Sequence, residues 1–171
     1  MRIIISDSSC LIDLHKVALI DALLQLPYEV VIPDLLFADE LLSFSAEERK
    51  AMILHGLKVL SLPGEGVVRA SDLSGRHPRL SLYDCFALVL AERTPGCILL
   101  TGDNELRRLA GTQCIEVHGV LWAIDEMHRV GAAASELLYL ALQSFEVEPT
   151  VRLPRSEIQR RLALLRKNLL P

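Results

Sequence analysis

Short apolar runs alternate with helical patterns along the first two thirds of the chain. The clearest run is Ile3-Ile4-Ile5, which ends at the small polar stretch 6–9. A short β-branched run bounded by such residues predicts a buried strand. Weaker runs predict four more strands, at 29–32, 57–60, 97–100 and 113–117. Buried strands of this kind are typical of parallel sheets that are covered on both faces.

The segments between these runs carry apolar residues at helical spacing. Pro27 ends the first helical region, and Pro33 stands where proline is favoured, at the first position of a helix. Residues 63–66 predict a turn, residues 74–79 a polar loop and residues 81–93 a strong helix. This alternation of strand and helix predicts an α/β domain with a mostly parallel sheet.

From residue 118 onward the pattern becomes helical throughout. Three helices are predicted there, at 120–130, 135–145 and 154–168. We therefore divide the chain into a core, residues 1–117, and a helical C-terminal extension, residues 118–171. The end of the extension is positively charged, which indicates either a solvated helix face or RNA binding. The basic residues are Arg152, Arg155, Arg160, Arg161, Arg166 and Lys167.

Composition and charge narrow the class of protein. The net charge of −4 does not favour the nonspecific nucleic-acid binding of basic proteins. A nuclease remains compatible with it, because a cluster of metal-binding carboxylates lowers the total charge. No apolar run approaches the roughly 18 residues of a membrane span. The four cysteines lack metal-ligand spacing, so we expect a cytoplasmic protein with buried, reduced thiols.

Four carboxylates stand near the predicted ends of strands. Asp7 follows the first strand and Asp103 follows the fourth. Asp84 lies in the first turn of the helix before the fourth strand, and Glu40 lies on the helix after the second. In open α/β sheets, ligands bind in the crevice outside the carboxyl ends of the strands. The four acids are therefore candidates for a common site.

Each acid also has an ordinary explanation. Asp7 and Asp103 suit the N-caps of helices, and Asp84 completes a near capping box with Ser81. Glu40 by itself suits a solvated face. The combination favours chemistry, because Asp84 shares a small apolar helix face that should pack inward. Several buried carboxylates need a cation, and an all-oxygen site suits Mg²⁺ or Mn²⁺.

The sequences around the acids resemble those of the PIN-domain nucleases. The motifs are I-I-S-D-S-S at Asp7, P-x6-E-L at Glu40, L-x-D-C at Asp84 and L-L-T-G-D at Asp103. They follow the family's order over roughly residues 2–117 and are most similar to the toxin ribonucleases of VapBC-type modules. The match at Glu40 is looser, since Asp39 is a substitute there.

The resemblance implies a three-layer PIN-like fold and a metal-dependent endoribonuclease. The four acids would hold one or two Mg²⁺ or Mn²⁺ ions that activate a water molecule. Ser8, Ser9 and Thr101 would orient carboxylates or water, although turn or capping roles also explain these hydroxyls. Asn104 and Glu105 stand where some family members place an additional acid.

The same resemblance carries expectations about partners. If the protein is a toxin, it implies an antitoxin that inserts a segment near the acids, and a homodimer. The extension after residue 117 resembles that of a less characterised PIN-like subgroup. The alternative function is a non-catalytic PIN-like module that binds RNA or a protein. A Glu40 side chain turned away from the other acids would favour that module.

Overall fold

The computed structural model describes residues 1–169, with the side chains of residues 1–167. In that range the chain forms five strands and ten helices. The strands are β1 (Arg2–Ser6), β2 (Tyr28–Pro33), β3 (Lys58–Leu60), β4 (Ile98–Leu100) and β5 (Glu116–His118). The helices are α1 (Ser8–Lys16), α2 (Ile20–Leu24), α3 (Asp34–Asp39), α4 (Ala46–Leu54), α5 (Gly64–Arg76), α6 (Leu82–Glu92), α7 (Asn104–Thr112), α8 (Val120–Val130), α9 (Ser135–Val147) and α10 (Arg155–Leu169).

The strands form one parallel sheet in the order β3-β2-β1-β4-β5. β1 lies in the centre, where Ile5 is opposite Val31 of β2 and Leu99 of β4. All three of these side chains are buried. The central strands are apolar at consecutive positions because helices cover both faces of the sheet. The predicted α/β class with a parallel sheet is confirmed.

Helices give the sheet its two outer layers. The chain crosses back over the sheet between β3 and β4, and right-handed crossovers then place α6 on the face opposite α1 and α2. α6 packs on β1, β2 and β4. Its small side chains, such as the buried Ala87, let it approach the sheet closely. The fold is therefore the three-layer α/β arrangement that the resemblance implied.

Three predicted boundaries are wrong, and each has a local cause. Pro33 does not begin a helix but closes β2, because its backbone is still extended and pairs with β3. Gly64 is not in a turn but begins α5, since Pro63 stands at the N-cap position. β5 begins only at Glu116, because Cys114 adopts a left-handed backbone conformation (φ 57°) after α7.

Two further expectations need correction. The predicted polar loop at 74–79 is shorter, because α5 continues to Arg76. Cys114 is exposed, whereas the other three cysteines are buried as predicted. All four are free thiols.

The C-terminal helices lie against the core. The Tyr28 hydroxyl of β2 donates a hydrogen bond to Glu126 of α8 at 2.8 Å. Arg161 of α10 pairs with Asp125 of α8 at 2.6 Å. The division of the chain at residue 117 stays a prediction, and residues 170–171 of the predicted extension lie outside the described residues. Within residues 1–169, none of the helices combines the length and the apolar character needed to cross a membrane.

Candidate active site

The candidate site lies at the carboxyl ends of β1 and β4, where the order of the strands reverses. The chain leaves β1 toward one edge of the sheet and β4 toward the other, which opens a crevice between the two strand ends. The backbone N–H of Asp7 donates to the carbonyl of Leu100 at 3.0 Å. Asp7 and Thr101, the residues that follow the two strands, therefore meet at this crevice.

Asp7 is a helix cap with a buried charge. It is the N-cap of α1 and is only 2% exposed. Its Oδ1 accepts hydrogen bonds from the Ser9 hydroxyl (2.6 Å) and the Cys10 backbone N–H (3.3 Å), and its Oδ2 accepts one from the Thr101 hydroxyl. Burial raises the pKa of Asp7 to about 6, although these hydrogen bonds lower it. The negative charge of Asp84 contributes to the rise.

Glu40 contacts the segment that carries Asp7. It is not inside a helix as expected, because α3 ends at Asp39 and Glu40 is the C-cap. The Ser8 hydroxyl donates a hydrogen bond to the half-buried Glu40 carboxylate. Burial raises the pKa of Glu40, the Ser8 hydrogen bond opposes this, and the charge of Asp84 raises it further. Asp39 is exposed and instead accepts a hydrogen bond from Tyr83 of α6 at 3.2 Å.

Asp84 has both of its predicted properties. It forms a complete capping box, in which the N–H and the hydroxyl of Ser81 donate to its Oδ2 at 2.8 and 2.7 Å. In the described part of the chain, its Oδ1 accepts no hydrogen bond. The helix face beyond it is buried, at Ala87, Leu88 and Ala91. The half-buried carboxylate therefore caps α6 and also acts electrostatically on two other candidate acids.

Asp103 is connected to the site indirectly. It is the N-cap of α7, where its Oδ1 accepts from the N–H of Leu106 at 2.7 Å. Its own backbone N–H donates to the Thr101 hydroxyl at 3.0 Å, and that hydroxyl donates to Asp7. Across residues 1–167, no hydrogen bond or ion pair joins the Asp103 carboxylate to the other three acids. Thr101 is thus the link between them.

The predicted hydroxyls all contact predicted acids. Ser9 and Thr101 donate to Asp7, and Ser8 donates to Glu40. Ser9 also accepts a hydrogen bond from the backbone N–H of Gly102 at 3.0 Å. A Cβ at that glycine would lie 3.2 Å from the Ser9 oxygen, so this close approach favours a residue without a side chain. Orientation of the acids by these hydroxyls stays a prediction.

The sequence analysis missed Arg107 of α7. Its guanidinium Nη2 donates to the Thr101 carbonyl oxygen at 3.0 Å, which places a positive charge next to the residue whose hydroxyl donates to Asp7. The sequence does indicate this residue, because Arg107 follows Asp103 by four residues and this spacing places both on one helix face.

The candidate acids offer carboxylate oxygens, the ligand type that hard divalent cations prefer. Within residues 1–167, no group of three or more His, Cys, Asp or Glu side chains is placed to hold a metal ion. Mg²⁺ commonly keeps several waters and is bound by one or two carboxylates together with substrate phosphates. Asp7, which is buried, and Glu40 and Asp84, which are half-buried, each have the oxygen chemistry for that mode. Their assignment as ligands, and that of Asp103, stays a prediction.

Comparison with known proteins identifies the family. A family model described as a PIN domain matches residues 3–167, which includes most of the helical extension as well as the core. None of the curated proteins matches the chain. The resemblance inferred from the four acidic motifs is confirmed at the level of the family. This chain belongs to the PIN-domain family.

Proposed function

We propose that this protein is a Mg²⁺- or Mn²⁺-dependent endoribonuclease. PIN domains are generally nucleases, and therefore hydrolases, and they typically use divalent metals. The choice of RNA as the substrate is supported by the similarity of the four acidic motifs to those of toxin ribonucleases.

The observation that carries the proposal is the buried carboxylate of Asp7. A helix N-cap needs no burial of its charge, yet Asp7 is 2% exposed and its pKa is raised to about 6 by that burial. Among the residues that the structure describes, no Lys, Arg or His pairs with it. An ionised carboxylate without a cation is costly to bury, and such perturbed groups concentrate at functional sites. A divalent cation would offset that cost.

All four acids would hold the metal, as one ion or two. Asp7 and Asp84 would bind the ion, and Glu40 and Asp103 would provide the other two carboxylates. When bound, the metal supplies an activated water and stabilises negative charge on the phosphate and the leaving oxygen.

The hydroxyls would keep the carboxylates in place. Ser9 donates to Oδ1 of Asp7 and Thr101 to its Oδ2, and Ser8 donates to one oxygen of Glu40. Such outer contacts orient metal ligands and raise their affinity. The buried surroundings of Asp7 also exclude water that would compete for the ion.

The motif resemblance also supports proposals about protein partners and cellular location. A VapC-like toxin would act in the cytoplasm as a homodimer and would be inhibited by an antitoxin that inserts a segment near the acids. These finer proposals rest on the motifs at Asp7, Glu40, Asp84 and Asp103. Size-exclusion chromatography with light scattering checks the homodimer, for which the particle mass should equal two chains.

The proposal is tested by Mn²⁺ calorimetry on the wild type, Asp7→Asn and Asp84→Asn. We expect binding by the wild type and its loss in both variants, because each removes one negative charge from the same crevice. Asp72→Asn is the matched control, since Asp72 is exposed on α5. Single-stranded RNA should then be cleaved by the wild type and the control alone.

A different pattern would favour the non-catalytic module. Wild-type protein that binds no Mn²⁺ with RNA present, and cleaves no RNA, would return Asp7 and Asp84 to capping roles. Binding that is unchanged by either substitution would have the same consequence.

A further inference from the structure

Arg107 lies at the same end of the sheet as the candidate acids. It is on α7, four residues after Asp103, and its Nη2 donates to the Thr101 carbonyl at 3.0 Å. The hydroxyl of that threonine donates to Asp7. Burial raises the pKa of the Cys10 thiol, and the positive charge of Arg107 opposes the rise, so the guanidinium also lies near α1. Thr101 therefore contacts Arg107 through its carbonyl and Asp7 through its hydroxyl.

Gly119 leaves the space that the guanidinium occupies. A Cβ at this position would lie 2.9 Å from Nη2 of Arg107 and 3.5 Å from the Thr101 carbonyl oxygen. The backbone of Gly119 is extended (φ −120°), a conformation that any residue adopts. Glycine at this position therefore leaves room for the Arg107 guanidinium at the Thr101 carbonyl, and an added Cβ would require that flexible side chain to shift.

The charge of Arg107 has no protein counter-ion in the described residues. Most arginines of the molecule pair with a carboxylate, as Arg108 does with Glu105 at 2.6 Å and Arg129 does with Glu126 at 2.7 Å. Arg107 is partly buried, and within residues 1–167 its guanidinium makes a single hydrogen bond, to a carbonyl. Its other N–H groups are open to a ligand.

We propose that Arg107, whose guanidinium lies in the space that Gly119 leaves, binds a phosphate of the RNA substrate at the candidate active site. This inference rests on the proposed function. A planar guanidinium with free N–H groups matches the oxygens of a phosphate and can bind two of them at once. The arrangement also answers an electrostatic need, because a phosphodiester that approaches carboxylates is repelled unless cations lie nearby.

The test is the affinity for a fluorescently labelled single-stranded RNA, measured by anisotropy on the full chain with Ca²⁺ in place of Mg²⁺. We expect Arg107→Gln to weaken binding by roughly tenfold or more, since a charge-assisted hydrogen bond is lost. It should also make the plot of log affinity against log salt less steep by about 0.7, the slope of one phosphate contact on a single strand. The matched control Arg108→Gln should change affinity by less than about twofold, because its charge is already paired and exposed.

Gly119→Ala provides a second route to the same result. The added methyl group displaces the flexible end of Arg107 without removing its charge, so RNA affinity should fall as in Arg107→Gln. Adding Gly119→Ala to Arg107→Gln should then weaken binding no further, since both act on one contact. Circular dichroism and melting temperature confirm that each variant is folded.

The outcomes separate this inference from the proposed function. If the wild type cleaves RNA but Arg107→Gln binds it as well as Arg108→Gln does, Arg107 is not a phosphate ligand and the nuclease assignment stands. If the two substitutions lower RNA affinity additively in the double variant, they do not act on one contact, and the inference is likewise wrong. A wild type that binds neither RNA nor Mn²⁺ would contradict both proposals.

Discussion

Two charged regions of this molecule differ in whether their charged side chains form ion pairs. On the C-terminal helices, Arg161 pairs with Asp125 and Glu157, and Arg155 pairs with Glu146. In the candidate active site, with Asp7, Glu40, Asp84 and Asp103, no described Lys, Arg or His forms an ion pair with any of the four acids. Arg155 and Arg161 in the first region are therefore neutralised within the protein, whereas the acids of the second have no described cation beside them.

The difference bears on the two explanations of the basic C-terminus. Arg155, Arg160 and Arg161 are engaged by carboxylates, which favours a solvated, ion-paired helix face over RNA binding for these three residues. Arg107, which has no such partner among the described residues, contacts Thr101, whose hydroxyl donates to Asp7. The proposed phosphate site therefore rests on the local absence of an ion pair at Arg107, not on the number of basic residues in a segment.

The comparison is tested most strongly by removing the buried charge. The pKa of Asp7 is raised from 3.8 to about 6 in the folded chain. Below pH 3.8 the carboxyl is protonated in both states, and between pH 4 and 6 the unfolded chain loses its proton first, so folding stability falls as pH rises. The full cost, about 3 kcal/mol or roughly 100-fold in the folding equilibrium, persists above pH 6.

Asp7→Asn should therefore stabilise the metal-free protein at pH 7 relative to pH 4. Denaturant unfolding of the wild type and the variant in EDTA across this pH range gives the difference in the free energy of unfolding that the Asp7 charge causes. Adding Mn²⁺ should stabilise the wild type and leave the variant unchanged. A difference that stays flat from pH 4 to 7 would show that Asp7 carries no unbalanced charge.

A smaller effect on metal binding and cleavage is expected when a hydroxyl that contacts the acids is removed. Thr101→Val keeps the shape of the buried side chain but deletes the hydroxyl that donates to Asp7 and accepts from the Asp103 N–H. Mn²⁺ affinity and RNA cleavage should fall by roughly 10- to 100-fold, as for other outer-shell partners of metal ligands.

The matched control is Thr94→Val at the opposite end of β4. The Thr94 hydroxyl donates to the Leu90 carbonyl at 2.8 Å, away from the crevice. Its loss should leave Mn²⁺ affinity and cleavage unchanged. Equal losses in the two variants would mean that Thr101 acts only through general stability.

The smallest effect is expected in the balanced region. Arg155 is 83% exposed in its pair with Glu146, so Arg155→Ala should change the free energy of unfolding by less than about 0.5 kcal/mol. RNA binding should also be unaffected. A loss of RNA affinity larger than that of Arg107→Gln would place the nucleic-acid surface on the C-terminal helices and reverse the comparison.

Local features of the site were predictable because they depend on near neighbours in the chain. The spacing of Ser81 and Asp84 predicts a capping box, and the structure contains it. The spacing of Asp84 and Leu88 predicts that an inward face follows the acid, and Leu88 is fully buried. The inner strands were predictable for the same reason, since a consecutive apolar run has few local alternatives.

Other features were decided by contacts between distant parts of the chain. Glu40 was expected inside a helix, but α3 ends before it and the carboxylate meets Ser8, 32 residues away. Likewise, nothing near Gly119 indicates that its missing side chain makes room for Arg107. Proline is common at the first position of a helix, yet the pairing of Pro33 with β3 keeps it in a strand.

The sequence by itself determined the elements, the parallel α/β class and the four acids, because periodicity and capping are encoded over a few residues. Only the tertiary structure decided that β1 and β4 are neighbours, that Thr101 and Ser9 close around Asp7, and that Arg107 stands beside them. Strand order depends on pairing across many tens of residues, and the burial that raises the pKa of Asp7 exists only after that pairing has formed.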